Sequence, residues 1–106
     1  MILRLWRGWT TKENAPAYEA FLRDELFPAI YGKSIPGFHG IKLVRHDAPD
    51  EIEFMTIMRF DSIEAIKAFA GDRYEDAVIL PKAHAVLSRF EPQASHYEER
   101  IPEVQV

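Results

Sequence analysis

Four segments of this chain have the period of two that is typical of strands, and apolar residues at helical spacing occupy much of the sequence between them. A period of two predicts strands around Ile2–Trp9, Phe38–His46, Phe54–Phe60 and Ser95–Ile101. The turn residues Ala48–Asp50 separate the second strand from the third, so these two strands are predicted to pair as an antiparallel hairpin.

The first predicted helix begins at Asn14 as N-cap, with Pro16 in its first turn. We expect Pro28 to end or kink this helix, because proline removes a backbone donor. The apolar stripe of the helix is Tyr18, Phe21, Leu22, Leu26 and Ala29.

The second predicted helix follows the third strand. Asp61 is its expected N-cap, with Glu64 three residues later as in a capping box, and Gly71 is its expected C-cap. One or two helical turns are predicted over 73–80, and Pro81 opens a further short helix.

The resulting order is β-α-β-β-α-β with a helical insertion before the last strand. We therefore predict an α+β, ferredoxin-like domain over residues 1–106, with an antiparallel four-stranded sheet and its helices on one face.

The third strand carries apolar residues on both faces. Phe54, Met58 and Phe60 fall on one side, and Met55 and Ile57 fall on the other. The helices of the chain can cover only one of these faces. We therefore expect a homodimer formed by sheet-to-sheet packing.

The amino-acid composition excludes several classes of function. The 106 residues are 47% hydrophobic and 28% charged, with a net charge of −4 and no cluster of basic residues, so a nucleic-acid partner is not expected. No apolar run reaches membrane-spanning length, and the amino-terminal stretch is too interrupted for a signal peptide, so we expect a cytoplasmic protein without membrane contact. Cysteine is absent, which excludes disulfides, thiolate nucleophiles and cysteine-ligated metals.

Four stretches carry a family resemblance: WRG at Trp6–Gly8, IPGFHG at Ile35–Gly40, RFDSIEAIKAFAGDRYEDAV at Arg59–Val78, and HYE at His96–Glu98. They resemble the dimeric α/β-barrel superfamily, and within it the antibiotic-biosynthesis-monooxygenase-like group, over nearly the whole chain. The resemblance implies a homodimer whose sheets form a barrel, and a small pocket between each sheet and its helices. Its characterised members include cofactor-independent monooxygenases of polycyclic phenols, haem-degrading enzymes and small-molecule isomerases, and the fold does not select among them.

Three residues are candidates for catalysis. His96 lies on the last strand with Glu98 two residues later on the same face, which suits either a general base with its orienting carboxylate or a surface pair. His84 lies in the short helix expected to cover the pocket. Tyr74 follows the second helix, where its hydroxyl would reach the pocket mouth or hold the insertion to the sheet.

Trp6, Phe69 and Arg59 are the candidates for substrate binding. Trp6 is either a core residue or a pocket wall that stacks on a flat ligand, with Gly8 leaving space beside its indole. Arg59, at a strand end, would bind an anionic oxygen or pair with Asp61. No two histidines have ligand spacing, so no metal site is expected.

Three functions remain open. The first is a cofactor-independent monooxygenase, an oxidoreductase acting on a small phenol or quinol without any cofactor. The second is a non-catalytic module that binds a small molecule. The third, haem degradation, is disfavoured: those relatives carry an asparagine on the first strand, a tryptophan on the second helix and a haem-ligating histidine after it, whereas this chain has Trp6, Phe69 and no histidine in Asp72–Ile79.

Overall fold

The structure, a computed structural model, describes residues 1–105, and its architecture is α+β. The elements in chain order are β1 (Ile2–Thr10), α1 (Ala15–Phe21), a π-helical segment (Leu22–Leu26), α2 (Phe27–Gly32), β2 (Phe38–Asp47), β3 (Ile52–Phe60), α3 (Ile63–Ala70), α4 (Pro81–Val86), β4 (Arg89–Phe90) and β5 (Ser95–Glu98). The predicted ferredoxin-like order is confirmed.

All strand pairs are antiparallel, in the order β2-β3-β1-β4, with β5 also pairing with β1. The two-residue strand β4 was not predicted, so the sheet has five strands rather than four. The last strand ends at Glu98, three residues before the predicted end at Ile101. A bulge between Phe38 and Gly40 shifts the start of the β2–β3 hairpin.

One sheet face carries the helices. Phe54, Met58 and Phe60 of β3 lie on this face and are buried in two clusters with residues of the helices, which settles which side of β3 the helices cover. Residues of opposite parity lie on the other face. Met55 and Ile57 are only half-buried there, since no element of the described chain covers them.

The first helix does not end at Pro28. The N–H of Phe27 donates to the carbonyl of Leu22, five residues back, and this widened π-helical turn leads directly into α2. A π-helical turn next to Pro28 accommodates a residue that cannot donate to the helical ladder. Leu22 and Leu26 of this segment both face the sheet.

Helix α3 begins one residue later than predicted. Ser62, not Asp61, is the N-cap, and its hydroxyl accepts a hydrogen bond from the N–H of Ala65 at 3.2 Å. The Asp61 carboxylate instead contacts Nε2 of His39 at 2.6 Å. The helix ends at Gly71, as predicted, with φ at +90°.

The helical turns predicted over 73–80 do not form. Tyr74 and Glu75 make a turn, and Asp76 then bridges to Gln93 as an isolated β-pair, while 77–80 is irregular. Backbone bonds from Ala77 to Pro92 and from Ala94 to Glu75 take the place of helical ones. The short helix after this stretch is present as α4. Within residues 1–105, every helix falls short of the length and apolarity needed to cross a bilayer.

Candidate ligand site between sheet and helices

A cavity of about 50 Å³ lies between the helix-bearing sheet face and the helices. Strands β1, β2 and β3 form its floor, and the first helix, α3, α4 and the irregular stretch 78–80 enclose it. Its walls are Arg4, Trp6, Tyr18, Leu22, Leu26, Phe27, Ile30, Ile41, Thr56, Met58, Phe69, Val78, Ile79, Leu80 and Ala83. The lining is therefore apolar and aromatic with a few polar groups, which is the usual character of a small-molecule site.

Trp6 is one wall of the cavity. Its indole Nε1 donates to the carbonyl of Glu91 at 2.7 Å, which fixes the ring orientation. The expected free space beside Gly8 is absent, because the indole itself covers this glycine: a Cβ at Gly8 would lie 2.7 Å from Cη2 of Trp6 and 2.9 Å from Cδ2 of Leu87. Gly8 therefore lets Trp6 lie flat against β1.

Arg4 is the charged group of the cavity, with only 3% of its surface exposed. Its guanidinium donates to the carbonyls of Tyr74 and Asp76, the latter at 3.0 Å from Nη2, and lies 5.5 Å from the ring centre of Phe69. Burial lowers the pKa of Arg4 to about 10, so the side chain is still protonated at neutral pH. The irregular stretch after α3 is thus tied to β1 through a buried cation.

His96 lies beside Arg4, across the β1–β5 pair. Nη1 of Arg4 and Nε2 of His96 are 3.0 Å apart, and because arginine can only donate, Nε2 is the acceptor and the imidazole is neutral. Burial, and then the charge of Arg4, lower the pKa of His96, against a smaller opposing effect of Glu75. The expected partner Glu98 makes no hydrogen bond to His96 among the described residues, and its carboxylate lies 3.9 Å from Arg100.

Two other candidates lie near this pair. Phe69 is a cavity wall below the guanidinium of Arg4. Tyr74 is half-buried beside the cavity, with its ring edge-on to His96 at 5.3 Å and its carbonyl bonded to Arg4. Its position supports the interpretation of a residue that holds the insertion to the sheet.

The remaining candidates lie away from the cavity. His84 is exposed on α4 and packs edge-on against Phe90, with 5.5 Å between ring centres, while its neighbour Ala83 faces the cavity. Arg59 is exposed on the opposite sheet face, opposite Leu3. Odd positions of β3 point away from the helices, which explains why Arg59 does not reach the site.

Comparison with known proteins gives a structural likeness. No family model and no curated protein matches this chain. A crystal structure of a provisionally named antibiotic biosynthesis monooxygenase from Bacillus cereus matches with a TM-score of 0.68, over 100% of this chain and 97% of that protein, at 12% identity. The chain has an antibiotic-biosynthesis-monooxygenase-like fold. The resemblance seen in the sequence is thereby confirmed for the fold, and the low identity carries no residue role across.

Within this monooxygenase-like fold, Arg4 and Tyr18 are two cavity-wall residues that the sequence did not single out as functional. Arg4 shares the strand parity of Ile2 and Trp6, which places it on the helix-bearing face. Tyr18 is 1% exposed, and burial raises the pKa of its phenol well above the usual range, so the hydroxyl stays protonated. Strand parity was the available signal for Arg4, and the apolar stripe of the first helix was the signal for Tyr18.

Over residues 1–105, no three His, Asp or Glu side chains converge as metal ligands would.

Proposed function

We propose that this protein is a cofactor-independent monooxygenase that oxidises a small phenol or quinol in the cavity between sheet and helices. The observation that supports it is the combination of aromatic walls, Trp6 and Phe69, with the buried Arg4 in the same cavity, next to the half-buried His96, which is not itself a cavity wall. A flat ring needs apolar faces, and its oxygen needs a hydrogen-bond donor. The likeness to the Bacillus cereus protein fits this proposal at the level of fold.

The proposed reaction requires only a few functional groups from the protein. A base removes the phenol proton, a donor stabilises the resulting anion, and the electron-rich anion itself supplies the electrons that reduce oxygen. In this proposal His96 is the base, Arg4 is the donor, and Tyr74 packs against His96 and orients its ring. Walls of apolar side chains keep water away from the anion while it reacts.

The cavity must widen to admit a ring. Its volume of about 50 Å³ is smaller than the roughly 150 Å³ of a protein cavity that binds benzene. The stretch 78–80 has no regular structure, and Val78 and Leu80 are partly exposed although both line the cavity. Movement of this stretch enlarges the site at low cost, because it leaves the strand pairs intact and disturbs only the bond from the N–H of His84 to the carbonyl of Leu80 at the start of α4.

Oxygen uptake with a panel of phenols and quinols tests the activity. We expect turnover by the wild-type chain, a large loss in His96→Gln, and wild-type rates in Arg23→Met, which alters an exposed arginine outside the cavity. No oxygen uptake across the panel, with the protein folded, would argue against the proposal.

A second function, non-catalytic binding of a small molecule, is supported by the hydrogen bond that occupies Nε2 of His96. An imidazole that accepts from a guanidinium is a weak base, and His84, the other candidate, is exposed outside the cavity. Measuring binding and oxygen uptake with the same panel distinguishes the two functions. Ligands that bind tightly but cause no oxygen uptake favour a binding module.

We also propose that two copies pack through the helix-free sheet face. This face carries exposed apolar residues on its outer strands, including Val44 of β2, which is 43% exposed, and Tyr97 of β5, which is 56% exposed. Leu3, Leu5, Met55 and Ile57 complete this apolar surface. Contiguous apolar surface on a sheet is characteristic of an interaction site. Sedimentation velocity at micromolar concentration should show a dimer, and a stable monomer would contradict the proposal.

A further inference from the structure

Arg4 is a buried cation without an anionic partner among residues 1–105. Nine ion pairs form between the described residues, and Arg4 belongs to none of them. Its acceptors are two backbone carbonyls and a neutral imidazole nitrogen. A charge buried among neutral groups costs several kcal/mol of desolvation unless an opposite charge offsets it. The protein thus maintains an electrostatically unfavourable arrangement at the cavity wall.

Part of the guanidinium is still free to donate. A guanidinium carries five N–H groups, and the three contacts of Arg4 use two on Nη1 and one on Nη2. The Nε–H and the second N–H of Nη2 make no hydrogen bond within the described part of the chain. Since Arg4 lines the cavity, these donors are available to a ligand there.

The surroundings restrict the ligand to a small planar anion. Trp6, Phe69 and Met58 supply apolar walls, and none of the carboxylate side chains within residues 1–105 lines the cavity, where it would repel a negative charge. One cation balances one negative charge, so a ligand with a single negative charge suits this cavity.

We propose that Arg4 is the specificity-determining residue of this cavity, binding the single anionic oxygen of an aromatic phenolate or carboxylate. This inference rests on the proposed use of the cavity as a ligand site, but it does not require that the ligand be oxidised. A phenol would bind as its phenolate, because the guanidinium stabilises only the deprotonated oxygen.

Binding measured without oxygen tests Arg4 separately from catalysis. Benzoate is compared with its neutral isostere benzamide by calorimetry, and 4-nitrophenol is titrated at a pH where it is mostly protonated in solution while its phenolate absorbance is followed. We expect benzoate to bind at least about tenfold more tightly than benzamide, as one charge-assisted hydrogen bond implies. Bound 4-nitrophenol should show the phenolate band, and benzoate should displace it.

The variants Arg4→Met and Arg4→Lys test whether the preference for anions depends on the Arg4 side chain. Arg23→Met is the matched control. Arg4→Met should remove the preference for benzoate and the phenolate band, Arg4→Lys should retain part of both, and the control should match wild type. Equal affinities of the wild-type chain for benzoate and benzamide, or no binding of either anion at millimolar concentration, would overturn the inference without any variant.

The two proposals fail in different ways. Anion-selective binding without oxygen uptake would contradict the proposed monooxygenase activity and would still support the role of Arg4 in binding. If Arg4→Met takes up oxygen at the wild-type rate, the proposed role of Arg4 is contradicted and the proposed monooxygenase activity is supported.

Discussion

His96 accepts a hydrogen bond from Arg4, so its imidazole must remain neutral for this contact to persist. The pKa of His96 is lowered in the folded chain, whereas in the unfolded chain it is about 6.5. The unfolded state therefore binds the proton first as pH falls, and the free energy of unfolding decreases below about pH 6.5 until the folded pKa is passed.

The variant His96→Gln isolates this effect, because an amide oxygen can accept from Arg4 but does not titrate in this range. Urea unfolding at several pH values should show wild type losing stability relative to His96→Gln as pH falls below about 6.5. Carboxylates titrate in both proteins and cancel in the difference. Parallel pH profiles would show that His96 is not held neutral in the fold.

Gly8 allows the Trp6 indole to lie against β1. Gly8→Ala places a methyl group 2.7 Å from Cη2 of Trp6, and since the indole is also bonded to Glu91, we expect a loss of about 1–3 kcal/mol in the free energy of unfolding. Gly32→Ala is the control, because a Cβ at Gly32 meets no atom within 4 Å. Equal unfolding midpoints for the two variants would contradict the tight Trp6–Gly8 contact.

At the scale of elements, the start of α3 depends on Ser62. Ser62→Ala removes the hydroxyl that accepts from the N–H of Ala65, and we expect it to cost about 1 kcal/mol in unfolding experiments. Asp61→Ala removes an exposed contact with His39 and should cost less, about 0–1 kcal/mol. A larger cost for Asp61→Ala would instead support the capping box predicted from the sequence.

Most helices and strands were predictable because the spacing of their apolar residues is visible in the local sequence. Alternation identified every strand within residues 1–105 except the two-residue β4, and Gly71 and Pro81 marked helix boundaries correctly. The π-helical turn before Pro28 and the turn at Tyr74–Glu75 were missed, because each depends on contacts with distant residues rather than on local pattern.

The site was predictable only in part. Parity placed Trp6 on the helix-bearing face, whereas Arg4 was overlooked, since a lone arginine in a strand is usually solvated. Its partners Tyr74, Asp76 and His96 lie seventy or more residues away in the chain. Their meeting depends on the β1–β5 register and on the path after α3, which no local pattern specifies.

At the scale of the whole molecule, the two sheet faces have different expected roles. Ile57→Glu introduces a charge at the centre of the helix-free face, and Ala68→Glu introduces the same charge on the exposed side of α3. Loss of a buried isoleucine from each copy implies a dimer dissociation constant at least about 100-fold higher for Ile57→Glu. Sedimentation velocity should show Ala68→Glu unchanged, and identical dimer populations in both variants would exclude this face as the interface.

The cavity beside Arg4 is the centre of the functional account, and a crystal structure with a bound, unreactive phenol or benzoate tests it most directly. We predict the ring against Trp6 and Phe69, its oxygen within hydrogen-bond distance of the Arg4 guanidinium, and the stretch 78–80 displaced outward. A ligand bound on the helix-free sheet face, or in the cavity with its oxygen turned away from Arg4, would contradict the account.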